Sequence, residues 1–260
     1  MKAPRNQSFN FATKLITLFI LFLSHSALYV VAQSVNFNTA LVFDGVDDSI
    51  VVPRNEAFNF DASDNFTVEV WLKYSGRAGT GLAEPDIIEF WQNLGGPYPF
   101  VLRGESHANA GKLVFSRFDG TSGVSVSSSR SNLNDDTWHH VAIVHDGTAK
   151  SMTIYIDGVL DSSSTYTSLG STKTTVNDLY FASRGLTGNN FGGQMDDVRI
   201  WNVARSQEQI ANTRYSLLTG AESGLVGYWP FNEGSGNTVT DLTGGSNGTL
   251  TNMAPSSWVP

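Results

Sequence analysis

The stretch "NFTVEVWLKY", residues 65–74, sets Phe66, Val68, Val70 and Leu72 alternately against Thr67, Glu69, Trp71 and Lys73. A period of two puts one set on each face of a strand, whereas the helical period of about 3.6 would scatter both sets around an axis. The same signal recurs along the chain with turn residues between. "ALVF" and "SIVVP" flank "DGVDD"; "KLVFSRF" fills 112–118; "WHHVAIVHDG" and "MTIYIDGVL" follow with "DGTAK" as a hairpin loop; "LYFASRG", "DDVRIWN" and "LVGYWPF" come after. Asp157-Gly158 is a further tight-turn signal, so the chain doubles back after Ile156. This spacing predicts two packed antiparallel sheets rather than alternating βα units. Charged residues make up 15% of the chain, against about 25% in an average soluble domain. Gly, Ser, Thr and Asn take their place, which is turn and exposed-strand chemistry.

One helix interrupts the strands. Ser206 followed by Gln209 is a capping-box pattern, and Ile210 and Leu217 then stand at helical spacing, which predicts a short helix over about 207–216. The stretch 75–110 is the least periodic part of the chain and holds one short apolar run, "DIIEFW". Long irregular loops of this kind often carry binding residues.

Residues 1–32 read as a secretory signal peptide. Lys2, Arg5 and Lys14 precede the uncharged "LITLFILFLSHSALYVVA", and Val30-Val31-Ala32 suits a cleavage site. The alternative is a retained membrane anchor, since the apolar stretch nears the ~20 residues of a spanning helix. Either reading sends residues 33–260 to the outside as a secreted or surface-displayed domain. That mature chain carries 13 basic residues against 24 acidic, a net charge of −11. Such an acidic surface argues against nucleic acid and against anionic membrane, beyond a surface tether, as partners. It suits neutral sugars, proteins or cations. The chain has no cysteine, so no disulfide staples it although the compartment permits one.

Taken in order, "ALVFDGVDDSIVV", "FTVEVWLK", "WHHVAIVHDG", "MTIYIDGVL" and "GGQMDDVRIWNVARSQEQI" resemble the laminin G-like jellyroll domains of the concanavalin A-like superfamily. "GLVGYWPFNEGSGNTVTDLTGGSNGTL" resembles a segment that flanks such domains, here at the C-terminal end; its position suggests that residues 225–258 pair back onto the sandwich. The resemblance implies an all-β jellyroll of two antiparallel sheets. It does not imply one activity, because the superfamily hosts lectins, adhesins, binding modules and glycosidases.

The stretch "EPDIIEFWQN" resembles the E-x-D-x-x-E strand of laminarinase-type β-glucanases, which would make Glu84 the nucleophile, Asp86 its neighbour and Glu89 the general acid/base. Glu84 and Asp86 share a strand face; Glu89 joins them only through a bulge. Pro85 speaks against a central strand, since it cannot donate to the ladder. The expectation is therefore a binding module without catalytic activity, for a glycan or an extracellular protein. The hydrolase and a structural adhesin module stand as alternatives. Trp91 and Tyr98, in the irregular stretch, are the candidate ligand-binding aromatics; Trp71, Trp138, Trp201 and Trp229 sit in strand motifs and read as structural. His139 and His145 share a strand face and His140 does not, so no set of three histidines forms a zinc site.

Two adjacent carboxylates, Asp196 and Asp197, head the strand "VRIW". Alternation places Asp196 on the face of Val198 and Ile200, and Asp197 on the other, toward solvent or a neighbouring Arg. A carboxylate on the core side is costly unless paired or bound to a metal. "MDDVRIW" resembles the β-glucanase strand whose Asp binds a structural calcium, and the matching residue is Asp196. Asp44 and the Gly45 carbonyl, in "FDGVDD", complete the expected calcium set. The alternative is that Asp44 and Asp196 only accept backbone N–H bonds at turns.

Overall fold

The computed structural model describes residues 39–74, 84–90, 96–105, 111–185 and 189–260. Within them the strands are β1 (Ala40–Asp44), β2 (Ser49–Val52), β3 (Phe66–Tyr74), β4 (Asp86–Glu89), β5 (Tyr98–Gly104), β6 (Leu113–Phe118), β7 (Gly123–Ser127), β8 (Trp138–Asp146), β9 (Ser151–Ile156), β10 (Val159–Thr165), β11 (Leu179–Phe181), β12 (Gly192–Trp201), β13 (Leu225–Trp229), β14 (Thr238–Val239), β15 (Gly248–Thr251) and β16 (Trp258–Val259). They form two antiparallel sheets of a jellyroll sandwich. Sheet A runs β10-β9-β8-β3-β12-β1-β16, with β13 also paired to β12; sheet B runs β14-β15-β2-β11-β4-β5-β6-β7.

Alternation explains the layering. On β3, Phe66, Val68, Val70 and Leu72 all face the core between the sheets. Across sheet B, Ile50, Phe181, Ile88, Leu102, Phe115 and Val126 are successive cross-strand partners and all belong to the same core. Phe66 anchors one end of it, stacked on Phe60 at 4.6 Å and tilted against Phe100 at 5.5 Å. The β9–β10 turn falls at Asp157-Gly158, both with positive φ (55° and 81°), as a tight two-residue hairpin requires. The C-terminal strands extend both sheets beside the first hairpin: β16 pairs with β1 and β15 with β2.

Helix α1 (Gln207–Thr213) has the full capping box: the Gln209 N–H donates to the Ser206 hydroxyl, and the Ser206 N–H to the Gln209 side chain. It buries Ile210 against Ala142 and Val144 on the outer face of sheet A. The helix stops short of residue 216, because after Ile210 the next apolar residue at helical spacing, Leu217, is exposed and holds no further turn. Side chains from the sheet take up its last carbonyls: Trp71 Nε1 donates to Arg214 O at 2.9 Å and Arg199 Nη1 to Thr213 O at 2.9 Å.

A charge lies inside the sandwich. Arg117, on β6, is fully buried and donates to the carbonyls of Pro99, Phe60 and Asp61, to the Thr172 hydroxyl and to His145. Its hydrogen-bond acceptors are all uncharged groups, and its guanidinium lies 5.0 Å from the centre of the Phe66 ring. Burial pulls the Arg117 pKa down to about 10.

Candidate functional site

The outer face of sheet B carries two cross-strand rows. In one, Tyr180, Glu89, Val101, Ser116 and Ser125 are successive partners; in the other, Asp86, Arg103, Val114 and Ser127. Asp86 and Glu89 are three residues apart and would fall on opposite faces of a regular strand. A register shift between Asp86 and Ile88 inserts one extra residue into β4, so Ile87 and Ile88 both enter the core. The bulge returns Glu89 to the outer face beside Asp86.

Pro85 sits one residue ahead of β4 and costs no rung there. Its carbonyl accepts Gly104 N–H at 2.9 Å, and on the other side Asp86 N–H reaches Asn189 O at 2.8 Å. The proline ring lies on Gly104, where an added Cβ would come within 2.7 Å of Pro85 Cγ. This fit seats Glu84 over β5. Glu84 Oε2 meets Arg103 Nη1 at 2.8 Å. Arg184, just after β11, reaches all three carboxyls: Asp86 at 3.0 Å, Glu89 at 3.8 Å and Glu84 at 3.9 Å. Asp86 and Glu89 are wholly buried. Burial pushes the Asp86 pKa up to about 6 against the pull of Arg184. Burial, then the neighbouring Asp86 charge, raises Glu89 well above the usual carboxylate range. The objection drawn from Pro85 therefore falls. A different geometric fact bears on hydrolysis: the Arg184 guanidinium occupies the space among the three carboxyls, where a scissile bond would have to lie.

The sequence profile described as the concanavalin A-like lectin/glucanases superfamily matches residues 44–211. The chain belongs to this superfamily. Among solved structures, this concanavalin A-like domain is similar to a candidate carbohydrate-binding protein from Bacteroides ovatus, with a TM-score of 0.63 and 19% identity over 83% of this chain and 58% of that one. It is also similar to the binding domain of Paraclostridial Mosquitocidal Protein 1, with a TM-score of 0.51 and 19% identity over 67% of this chain and 46% of that one. The botulinum neurotoxin serotype G binding domain gives a TM-score of 0.50 and 18% identity, over 64% and 40% of the two chains. At these identities the likeness is one of fold, and the chain spans 40–58% of the length of these three. No curated protein sequence matches it.

Of the expected ligand-binding aromatics, Trp91 lies outside the described residues. Tyr98 opens β5, half-buried, with its ring 5.7 Å from that of Phe118. Burial raises its pKa, and the charges of Arg103, Glu89, Arg184 and Glu84 all act on it, so it borders the carboxylate cluster. Arg103 and Arg184 escaped the sequence reading. Three acids on one strand face of a charge-poor chain call for cations, but nothing in the sequence says which arginines supply them.

The expected calcium set does not come together. Asp44 is the β-partner of Gly192, and Asp196 lies four residues further along β12, roughly 13 Å away at the rise of a strand. No cation at calcium–oxygen distance spans that gap. Asp44 instead groups with Asp47 and Asp48, each offering an oxygen within 4.8 Å of the others. Asp44 Oδ1 accepts the N–H groups of Val46 and Asp47, and Asp48 Oδ2 accepts that of Asp44. Beside this loop the buried Asn190 donates through Nδ2 to Val46 O, while its Oδ1 has no partner. An all-oxygen set of carboxylates plus an orphan amide oxygen suits a hard cation.

The face assigned to Asp196 is corrected as well. A register shift between Asp196 and Arg199 puts an extra residue into β12, and Asp197 adopts a φ of 55°. Met195 and Val198 both face the core. Asp196 and Asp197 therefore face outward together, at the point where β12 exchanges β1 for β13 as its partner. Asp197 holds Arg199 through two bonds, 2.8 and 2.5 Å. Arg199, Arg205 and His140 converge on the buried Glu69, with His140 Nε2 3.1 Å and Arg199 Nη1 3.7 Å from its Oε2. Burial alone would raise the Glu69 pKa, but His140 and the two arginines hold it down at about 2. Among the described residues no such cation pairs with Asp196. Its Oδ1 is unpartnered, and burial raises its pKa well above the usual range. The histidines disperse: His139 joins Asp135 and Asp157, His140 joins Glu69, and His145 joins Arg117.

Proposed function

We propose that this domain is a non-catalytic glycan-binding module, and that the ligand engages the outer face of sheet B beside Tyr98, Arg103 and the three carboxyls. The observation that carries the reading is the position of Arg184 among those carboxyls, which favours recognition over bond cleavage. Glu84 and Arg103, partly exposed and held by one another, are a preorganised acceptor and donor for sugar hydroxyls above the buried pair Asp86 and Glu89, and Tyr98 supplies an aromatic edge next to them. The Bacteroides ovatus structure, described as that of a candidate carbohydrate-binding protein, supports the same direction. We further propose that residues 1–32 direct the domain to secretion, and that the Asp44–Asp47–Asp48 loop binds calcium.

The test is a glycan array with wild type, Arg103→Ala and Tyr98→Ala. Arg103 pairs with the half-exposed Glu84, so its loss should leave folding intact while abolishing retention. Equal retention by all three proteins would place the ligand elsewhere. The second reading, a β-glucan hydrolase using Glu84 and Glu89, draws on the bulge that brings the acids to one face. Turnover of laminarin or lichenan, abolished by Glu89→Gln, would establish it over the first.

A further inference from the structure

Three acids and two bases meet on the outer face of sheet B. Glu84, Asp86 and Glu89 come from β4 and the residues before it, Arg103 from β5, and Arg184 from the segment after β11. Tyr98 on β5 and Tyr180 on β11 are the other titratable groups facing them among the described residues. Arg103 is taken by Glu84, and among the three carboxyls Arg184 lies closest to Asp86 Oδ1. That leaves Asp86 Oδ2 and both oxygens of Glu89 buried with no donor. The bulge puts both carboxyls on one face beside the same guanidinium, Asp86 at 3.0 Å and Glu89 at 3.8 Å from Arg184. One guanidinium balances one charge, and two ionised carboxylates excluded from water repel. One proton between them satisfies orphan acceptors on both residues. It also brings the group of three acids and two guanidinium ions to net zero.

We propose that Asp86 and Glu89 share a single proton, and that this proton is a latch closing the outer face of sheet B, released as the pH rises. With the proton lost, neither Arg can neutralise the second charge without leaving its present partner. The bulged strand β4, joined to β5 through so few rungs, is where the strain is relieved. The latch depends on the geometry of sheet B alone and stands whether or not the ligand is a glycan.

The experiment is carboxyl-carbon NMR of the wild-type protein across about pH 4 to 9, the range in which buried carboxyls titrate. Amide hydrogen-exchange protection factors are measured alongside. Asp86 and Glu89 should titrate as a coupled pair, with one proton retained at neutral pH. Protection of the β4 and β5 amides should fall about tenfold or more relative to those of β8 as that proton leaves. Glu89→Gln, which replaces the shared proton by an amide donor, should keep β4 protected over the same range; Asp86→Asn is the second variant. Complete ionisation of both carboxyls below about pH 5 would overturn the proposal. So would wild-type β4 protection that follows β8 at every pH.

Discussion

Replacing His145 tests how the buried arginine shapes the acid side of the stability curve. His145 is fully buried. Its Nδ1 lies 2.7 Å from the Asp64 carbonyl, and its Nε2 lies 2.8 Å from Arg117 Nη1 and 2.8 Å from the Tyr166 hydroxyl. The carbonyl can only accept and the guanidinium can only donate, so the ring is neutral with its proton on Nδ1. Burial, then the Arg117 charge, lowers the His145 pKa from 6.5 to about 4. The unfolded chain therefore binds a proton that the native state refuses. The penalty is absent above about pH 6.5, grows as the pH falls, and is complete below about pH 4. At about 1.4 kcal/mol per decade it amounts to about 3 kcal/mol. The buried acids act in both senses: Glu69, held at about 2, also loses its contribution as the pH falls, whereas a raised carboxyl opposes the histidine. Asp86, with its pKa raised to about 6, binds protons in the native state that the unfolded chain releases, so its contribution is lost as the pH rises through that range. The wild-type curve alone thus sums opposing contributions, and the difference between wild type and His145→Gln isolates the histidine. Glutamine keeps a donor and an acceptor but does not titrate. Urea unfolding followed by tryptophan fluorescence at pH 7, 5.5 and 4 should show the wild type losing about 3 kcal/mol relative to the variant. That is a relative midpoint shift of about 1.5 M at an m of about 2 kcal/mol/M. A gap that stays constant from pH 7 to 4 would refute the neutral, arginine-coupled histidine.

The paired aspartates should behave very differently from each other. Asp197→Ala strands Arg199 in a buried site and should cost about 3–5 kcal/mol. Asp196→Asn replaces a carboxyl whose charged form burial disfavours and should cost less than about 1 kcal/mol in the same urea assay; equal costs would mean that Asp196 is ionised. Calcium at about ten times its Kd should stabilise the domain by about 1.4 kcal/mol, a rise in melting temperature of about 3–6 °C that chelator reverses. Asp44→Asn and Asp48→Asn should abolish that response and Asp196→Asn should keep it; identical melting in millimolar calcium and in EDTA would remove the site. Secreted material should begin at or near Gln33 by N-terminal sequencing, and an intact Lys2 on extracellular protein would show that the leader is retained.

The sandwich was legible because its signals are local. The alternation of β3 and the Asp157-Gly158 turn each follow from a few adjacent residues, as does the Ser206–Gln209 cap, and the structure contains all three. The two bulges were not legible in the same way. A bulge changes the parity of every residue beyond it, and nothing in "DDVRIW" announces that Asp197 takes a positive φ. Counting alternate residues therefore placed Asp196 on the core face, when it lies outside beside Trp71. In β4 the same device is the condition for Glu89 to join Asp86, and only the pairing with β5 shows that it is met. The cations were hidden for another reason. Arg103 is nineteen residues from Glu84 and Arg184 is one hundred, and their meeting depends on the strand order of sheet B, which no local pattern encodes.

The pairing of Ala40 with Val259 has a mechanical meaning. β1 enters the domain at the point where β16 leaves it, so a tension applied through the two ends acts across the first rung of their ladder rather than along it. Bonds loaded in that direction break one after another, as in a zipper, instead of sharing the force as they would in shear. A chain carrying this domain between two anchors would thus bear tension around it at almost no gain in length while it stays folded. Its first yield would be the peeling of β16 from β1 at the edge of sheet A, with the core of sheet B still closed.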